Sequence, residues 1–296
     1  MTDSAASYDG ARVRFAAGQA HLRPTRVVPD GMVMGRFSVL SPGTERRQMA
    51  ATVSGPGRDA GYMALAELDT GWILAPTPHG AALAPSVPGA LTVPEGAAMS
   101  VVALARFQLM AALGLDRVSS SAGTDTVVVG SGPVALGCVL ELHRRGAERI
   151  RVLTRRRHTP IGRAPYVATV TNVEPASADL VIDAAGRPDH AAELVAPGGT
   201  LGILGTPDET STLSALAAHR GGWTVVGMHE LAATTDDVYQ NTYAGVAAWL
   251  ADHLDVQLAE LWCRRVPGHL APRIFELLGT AARPVEPVVL FDWSAT

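Results

Sequence analysis

Asp125-Thr-Val-Val-Val-Gly130-Ser-Gly132-Pro-Val-Ala135-Leu-Gly-Cys-Val-Leu-Glu-Leu-His-Arg-Arg145 reads as a strand, a tight turn and a helix in one stretch. Residues 126–129 form a β-branched run, short enough for a parallel strand buried on both faces. Gly130-x-Gly132-x-x-Ala135 then closes the turn. Gly130 permits the sharp bend, Gly132 leaves the backbone open to a pyrophosphate, and Ala135 lets the helix lie close on the strand. The helix that starts there, at Pro133 and Val134, turns free N–H groups and the positive end of its dipole toward the same point. A second β-like segment follows on time at residues 150–154. Strand, loop, helix and strand together predict a dinucleotide site; the alternative is a glycine-rich turn with only a structural duty.

Composition narrows the classes. The chain has 296 residues, 47% of them hydrophobic, and a mean hydropathy of +0.17, so a sizeable core is expected and extended disorder is not. A formal net charge of -4 gives no basic footprint for nucleic acid. No apolar run reaches the length of about 18 residues that a membrane helix needs, and the start of the chain lacks the basic-then-apolar pattern of a signal peptide. The expectation is a soluble cytoplasmic protein that acts on a small molecule, with neither nucleic acid nor membrane as partner. Its two cysteines, Cys138 and Cys263, read as small core residues rather than a disulfide or metal ligands. All 24 basic residues are arginine. With no lysine there is no Schiff-base chemistry, no P-loop lysine and no Tyr-x-x-x-Lys pair of the short-chain dehydrogenases.

Residues 11–40 carry short β-like segments, and 46–96, rich in glycine and proline, read as irregular β structure with Ser41-Pro-Gly-Thr-Glu45 as a turn between them. A long apolar helix is expected over 97–115. From there strands come at α/β spacing, over 126–130, 150–154, 180–184, 200–205 and 223–228, with helical segments over 133–145, 189–195 and 211–220. That alternation predicts a doubly wound parallel sheet. Residues 167–171 suit a third strand in sequence, but only eight residues separate Thr171 from Leu180, fewer than a helical crossover needs. The expectation is an eroded edge or an extended crossing. A further helix is predicted over 235–254, a β-like segment over 257–265, a helix over 271–279 and a last strand over 285–291.

The glycine loop followed by Pro133-Val134, then Asp179-Leu-Val-Ile-Asp-Ala-Ala-Gly186, Pro197-Gly-Gly-Thr-Leu-Gly-Ile-Leu-Gly205 and Phe275-Glu-Leu-Leu278, resembles the medium-chain dehydrogenase/reductase superfamily. Ser41-Pro-Gly-Thr-Glu45 and Pro78-His79-Gly80 resemble stretches of its GroES-like domain. The resemblance implies an α/β fold: a doubly wound parallel Rossmann sheet over residues 111–261, plus a reduced GroES-like β domain from 1–110 and 262–296. The chain departs from the zinc enzymes of that superfamily. Ser41-Pro-Gly-Thr-Glu45 stands at their Cys-Gly-x-Asp stretch and Gly61-Tyr62-Met63 at their Gly-His-Glu, so neither catalytic nor structural zinc is expected. The helix after the second strand is replaced by Arg155-Arg-Arg-His-Thr-Pro-Ile-Gly162, and the N-terminal domain is shortened around residues 55–80.

The candidate cofactor contacts are Gly130, Ser131, Gly132, Pro133, Val134 and Ala135 in the loop, Thr154, Arg155, Arg156 and Arg157 after the second strand, and Ala184, Ala185, Gly186, Gly205 and Thr206 at two later strand ends. An enzyme specific for NAD usually ends its second strand with an acid for the ribose 2′-hydroxyl; Thr154 removes that acid and the arginines offer forks for a 2′-phosphate, which favours NADPH over NADH. Without metal, a hydride acceptor needs a proton donor or oxyanion partner. The candidates are Tyr62, His79, Thr44 and Glu45, against plainer roles as packing aromatic, loop histidine and salt-bridge acid. The leading expectation is a zinc-independent, NADPH-dependent reductase of a carbonyl or activated C=C bond, dimeric through the edge strand at 223–228. A non-catalytic NADPH-binding sensor stays open beside it. A third reading, an S-adenosylmethionine methyltransferase, lacks the acid it usually carries after the second strand.

Overall fold

The computed structural model describes residues 10–25, 28–119, 124–232 and 234–294. The chain divides into two compact units. One comprises Met1–Ala98, Cys263–Pro284 and Val288–Thr296; the other comprises Met99–Trp262 with Val285–Pro287.

The second unit is built on six parallel strands in the spatial order Val167–Val170, Ile150–Leu153, Thr126–Val129, Ala178–Asp183, Val195–Ile203 and Thr224–Gly227. Numbered along the chain, this is the doubly wound order 3-2-1-4-5-6. All four residues of Thr126–Val129 are buried, which is why that strand is a continuous β-branched run rather than an alternating one. Helix Met99–Leu115 is buried from Ser100 to Leu115, so it is apolar on every side. Its few polar side chains find partners. Arg106 forks onto Glu230 at 2.7 and 2.9 Å, and Gln108 donates to Glu141 at 3.1 Å.

The first unit holds a six-stranded sheet in the order Cys263–Pro267, Val288–Asp292, Phe37–Val39, Ala64–Leu68, Gly71–Ala75 and Leu91–Thr92. A three-stranded sheet, Gln19–Thr25, Gly10–Ala16 and Arg58–Asp59, stands in the same unit. The end of the chain is therefore a sheet neighbour of its beginning: Val288–Asp292 pairs antiparallel with Phe37–Val39. Val13, Phe15, Leu40, Phe275, Phe291 and Trp293 share one apolar cluster, with Phe275 edge-on to Phe15 at 5.0 Å.

The chain crosses from the third strand to the fourth without a helix, one of the two alternatives left open, and two other local expectations need correction. The third strand is present in its usual place, and residues 171–177 cross to the fourth strand with no helix. Seven residues reach at most roughly 23 Å, which leaves room for a turn at Pro175-Ala176 while crossing three strand spacings of about 4.8 Å; a helix of that length covers only about 10 Å. Ser41-Pro-Gly-Thr-Glu45 is no turn but the start of helix Pro42–Ala51, with proline in the first turn and Glu45 reaching back to the Ser41 N–H at 2.8 Å. The segment expected as β-like over 257–265 splits into helix Val256–Trp262 and strand Cys263–Pro267. Asp255 starts that helix by accepting the N–H of Gln257 at 2.7 Å and of Leu258 at 3.2 Å. Asp255→Ala is therefore expected to lower stability by about 0.5–2 kcal/mol, read as a lower urea midpoint; an unchanged midpoint would contradict the capping role.

Candidate functional site

In the second unit the carboxyl ends of three strands close on one another backbone to backbone. Gly130 stands at φ +118, a region L side chains rarely adopt, and a Cβ there would lie 3.3 Å from the Cβ of Ala185. A Cβ on Gly205 would come within 2.6 Å of the Gly186 nitrogen and 2.7 Å of the Ala184 carbonyl carbon. Gly132 is different. A Cβ there meets nothing within 4 Å, so the loop is open above it. Helix Pro133–Arg144 begins at that opening, with first-turn N–H groups that no helix carbonyl can accept. An open glycine over a helix N-terminus at the switch point of a doubly wound sheet fits a dinucleotide pyrophosphate.

Two polar contacts shape this edge. Asp183, at the end of the fourth strand, is fully buried and accepts the Ala185 N–H at 2.9 Å. Burial pushes its carboxyl above the usual carboxylate range, and the backbone N–H groups of Arg187, Ala185 and Gly186 pull against that shift. Asp183 thus holds the Ala184-Ala185-Gly186 turn in place. At the second strand end, the Thr154 hydroxyl lies 2.8 Å from that of Ser131 and accepts the Arg156 N–H at 3.1 Å. The turn carrying the arginines is thereby pinned to the glycine loop. Arg155 and Arg157 are exposed and Arg156 is half-buried. Among the described residues, Arg155 and Arg157 have no acidic partner.

The first unit gathers the other candidates. Glu45 and His79 are 0% exposed, and their Oε2 and Nε2 atoms are 2.7 Å apart. His79 Nδ1 lies 2.7 Å from the Ser38 hydroxyl, to which the Trp293 indole N–H donates at 2.8 Å. The other Glu45 oxygen holds the Ser41 N–H. The Ser41 hydroxyl in turn accepts the Tyr62 hydroxyl at 2.8 Å. Ser41 is buried, whereas Tyr62 is half-buried. The His79 ring also packs beneath Gly61, which sits at φ +89 and whose Cβ would fall 2.6 Å from the imidazole. His79 is thus linked to the Ser41 backbone through Glu45 and lies against Gly61, the residue before Tyr62. Thr44, half-buried one residue before Glu45, stands outside this chain of contacts.

Sequence reasoning missed Ser38, Ser41, Trp293 and the link between Ser131 and Thr154. A lone serine inside the apolar strand Phe37–Val39 was the available signal for Ser38. Among the described residues, no three His, Cys, Asp or Glu side chains cluster as metal ligands would. At the stretches that resemble zinc-ligand motifs, the converging groups are the neutral hydroxyls of Ser41 and Tyr62, a donor set that does not suit zinc.

Removing His79 would leave the buried Glu45 carboxyl without its hydrogen-bond partner, a loss of about 1–3 kcal/mol or more. His79→Ala is accordingly expected to give a severely destabilised or insoluble protein, whereas an unfolding midpoint equal to that of the unmodified chain would show that Glu45 needs no partner.

No protein-family model and no curated protein matches the sequence. Solved structures do match in fold. The alcohol dehydrogenase TADH of Thermus sp. ATN1 superposes with a TM-score of 0.73 at 15% identity, over 95% of this chain and 99% of that one. A protein of Sinorhizobium meliloti 1021 described as a zinc-binding dehydrogenase and bound to NADP gives 0.72 at 16%, over 96% and 99%. The acetophenone reductase of Geotrichum candidum NBRC 4597, in complex with NAD, gives 0.73 at 12%, over 96% and 98%. The chain has the fold of the zinc-type, medium-chain alcohol dehydrogenases, with a Rossmann sheet and a GroES-like β unit.

Proposed function

We propose that this protein is a zinc-independent, NADPH-dependent oxidoreductase that reduces a carbonyl or an activated C=C bond of a small molecule. The observation that carries the reading is the glycine loop, open only above Gly132, at the switch point of a sheet in 3-2-1-4-5-6 order. The names of the matching structures, an alcohol dehydrogenase, a dehydrogenase bound to NADP and a reductase in complex with NAD, support the same class of chemistry. A nicotinamide dinucleotide seated on this loop would supply the hydride; the chain's own residues bind it, orient it and keep water away. Gly130 to Ala135 would take the pyrophosphate, and the turns at Ala184 to Gly186 and Gly205-Thr206 would lie toward the nicotinamide half. Hydroxyls at Ser41 and Tyr62 in place of ligands favour a reaction without metal. The test is NADPH oxidation against a panel of enones, quinones and ketones. Turnover of at least one supports the reading. Binding without turnover would instead point to a non-catalytic NADPH-binding protein.

The choice of cofactor follows from local charge. Thr154 brings no carboxylate toward a 2′-phosphate and is already engaged with Ser131. Arg155 and Arg157 stand exposed beside it. A hydrogen bond to a charged group contributes about 1.5–3 kcal/mol, so one or two predict tighter binding of NADPH than of NADH by roughly tenfold or more. Arg155→Ala with Arg156→Ala should weaken NADPH and leave NADH nearly unchanged in fluorescence titrations. Equal affinities in the unmodified protein, or equal losses in the variant, would make the arginines a solvated turn.

The proposal extends to a homodimer. Edge strand Thr224–Gly227 is mostly exposed, with Val225 at 41%, and an open apolar edge invites pairing with a second copy. Light scattering is expected to give the mass of a dimer; a monomer at micromolar concentration would contradict this.

A further inference from the structure

We infer that Arg46 and Arg283 form a binding site for a phosphate group within the first unit. The site goes beyond the reductase reading and does not depend on it, because both arginines belong to the first unit and neither to the glycine loop. Arg46 is exposed on helix Pro42–Ala51. Arg283 is half-buried on the turn that follows helix Ala271–Leu277. That turn is tied to itself. The Thr280 N–H donates to the Leu277 carbonyl at 2.9 Å, the Ala282 N–H to the Thr280 hydroxyl at 3.1 Å, and the Arg283 N–H to the Thr280 carbonyl at 3.4 Å. The Arg46 guanidinium reaches the same turn. A Cβ on Gly279 would lie 4.0 Å from Arg46 Nη2 and would meet nothing else within 4 Å. Two guanidinium-bearing side chains therefore share one short turn, and the space over Gly279 is open apart from Arg46.

Charge decides what such a place can hold. Among the described residues, no carboxylate pairs with Arg46 or Arg283. Two acids near them in sequence are engaged elsewhere: Glu45 with His79 and the Ser41 N–H, and Glu276 with Arg273 at 2.7 Å. Burial holds the Arg283 guanidinium below its ordinary range, the Arg46 charge pushes it the same way, and no acid offsets either effect.

A half-buried cation that feels a second cation, with no anion of its own, lowers the stability of the empty protein. An anion bound between the two removes both penalties. The charge count selects which anion. Two guanidiniums carry two positive charges, and a phosphate monoester carries about 1.5–2 negative ones near neutral pH. Its three oxygens also suit two planar forks. A carboxylate would neutralise only one of the arginines.

The experiment follows the urea midpoint against inorganic phosphate for the full chain, Arg46→Gln, Arg283→Gln and the double variant. Chloride keeps the ionic strength equal, and circular dichroism checks the fold. Because the glycine loop can also take phosphate, all four proteins carry Gly132→Val. Phosphate in the low millimolar range should raise the midpoint of the chain with both arginines along a saturating curve. Each single variant should weaken the apparent affinity by roughly tenfold or more, as the loss of one charge-assisted partner does. The double variant should keep only the general salt effect on burial, which every variant shares. Without phosphate, Arg46→Gln should raise the midpoint, because it relieves Arg283 of a like charge. Acetate at the same ionic strength should shift the midpoint far less than phosphate. The site is overturned by any of four results: no saturating response with both arginines present, variants that respond as fully as the chain that keeps them, a lower midpoint for Arg46→Gln without phosphate, or acetate acting as strongly as phosphate.

Discussion

The carboxyl edge of the parallel sheet is closed by backbone lying on backbone, and this constraint governs what the second unit can do. Glycine at 130, 186 and 205 lets three strand-to-loop turns meet with no side chain between them. A methyl group at Gly205 would run into the Gly186 nitrogen, and one at Gly186 would come within 2.4 Å of the Thr206 carbonyl oxygen. Buried Asp183 fixes one of these turns through the Ala185 N–H, and the Ser131–Thr154 hydroxyl pair fixes another. Among Gly130, Gly132, Gly186 and Gly205 at this edge, Gly132 is the one where an added Cβ would meet nothing within 4 Å. An unused space of that kind, over a helix N-terminus, is what a bound pyrophosphate requires.

The first unit is organised by a different interaction, the contact between Glu45 and His79. Burying both partners costs solvation, which is recovered only if every lone pair and proton finds a match. Here both partners have a second contact: Glu45 also takes the Ser41 N–H, and His79 also meets Ser38. Strand Phe37–Val39, helix Pro42–Ala51, the turn before Tyr62 and the C-terminal Trp293 are thereby tied to one point. That economy explains how a small, glycine- and proline-rich β unit can hold two hydroxyls in a fixed relation.

Much of this was legible in the sequence where the chemistry is local. Gly130, Gly132 and Ala135 declare a strand-to-helix turn because each is demanded within a few residues of its neighbours. Reading went astray where a general rule met a local exception. The third strand was doubted because a crossover usually contains a helix, and this one does not. Pro42-Gly43 suggested a turn, although proline also opens helices and Glu45 was there to reach back to the N-terminal N–H. Asp255 was passed over as the start of a helix because the apolar residues after it suit a strand equally well. The hydroxyl pair and its support were beyond reach for another reason. His79 lies 34 residues from Glu45, and Trp293 lies 255 from Ser38, separations at which no periodicity speaks.

The central claim is that the space over Gly132 is a dinucleotide site, and Gly132→Val tests it most directly. The residue has an ordinary φ of -88, and its Cβ would meet nothing in the protein, so the fold should tolerate the side chain. The measurement is equilibrium binding of NADPH by fluorescence, alongside circular dichroism and the urea midpoint. The account predicts that the variant folds and unfolds like the unmodified protein and loses NADPH binding, because valine occupies the place of the pyrophosphate. A folded variant that binds NADPH as tightly as the unmodified chain would contradict it.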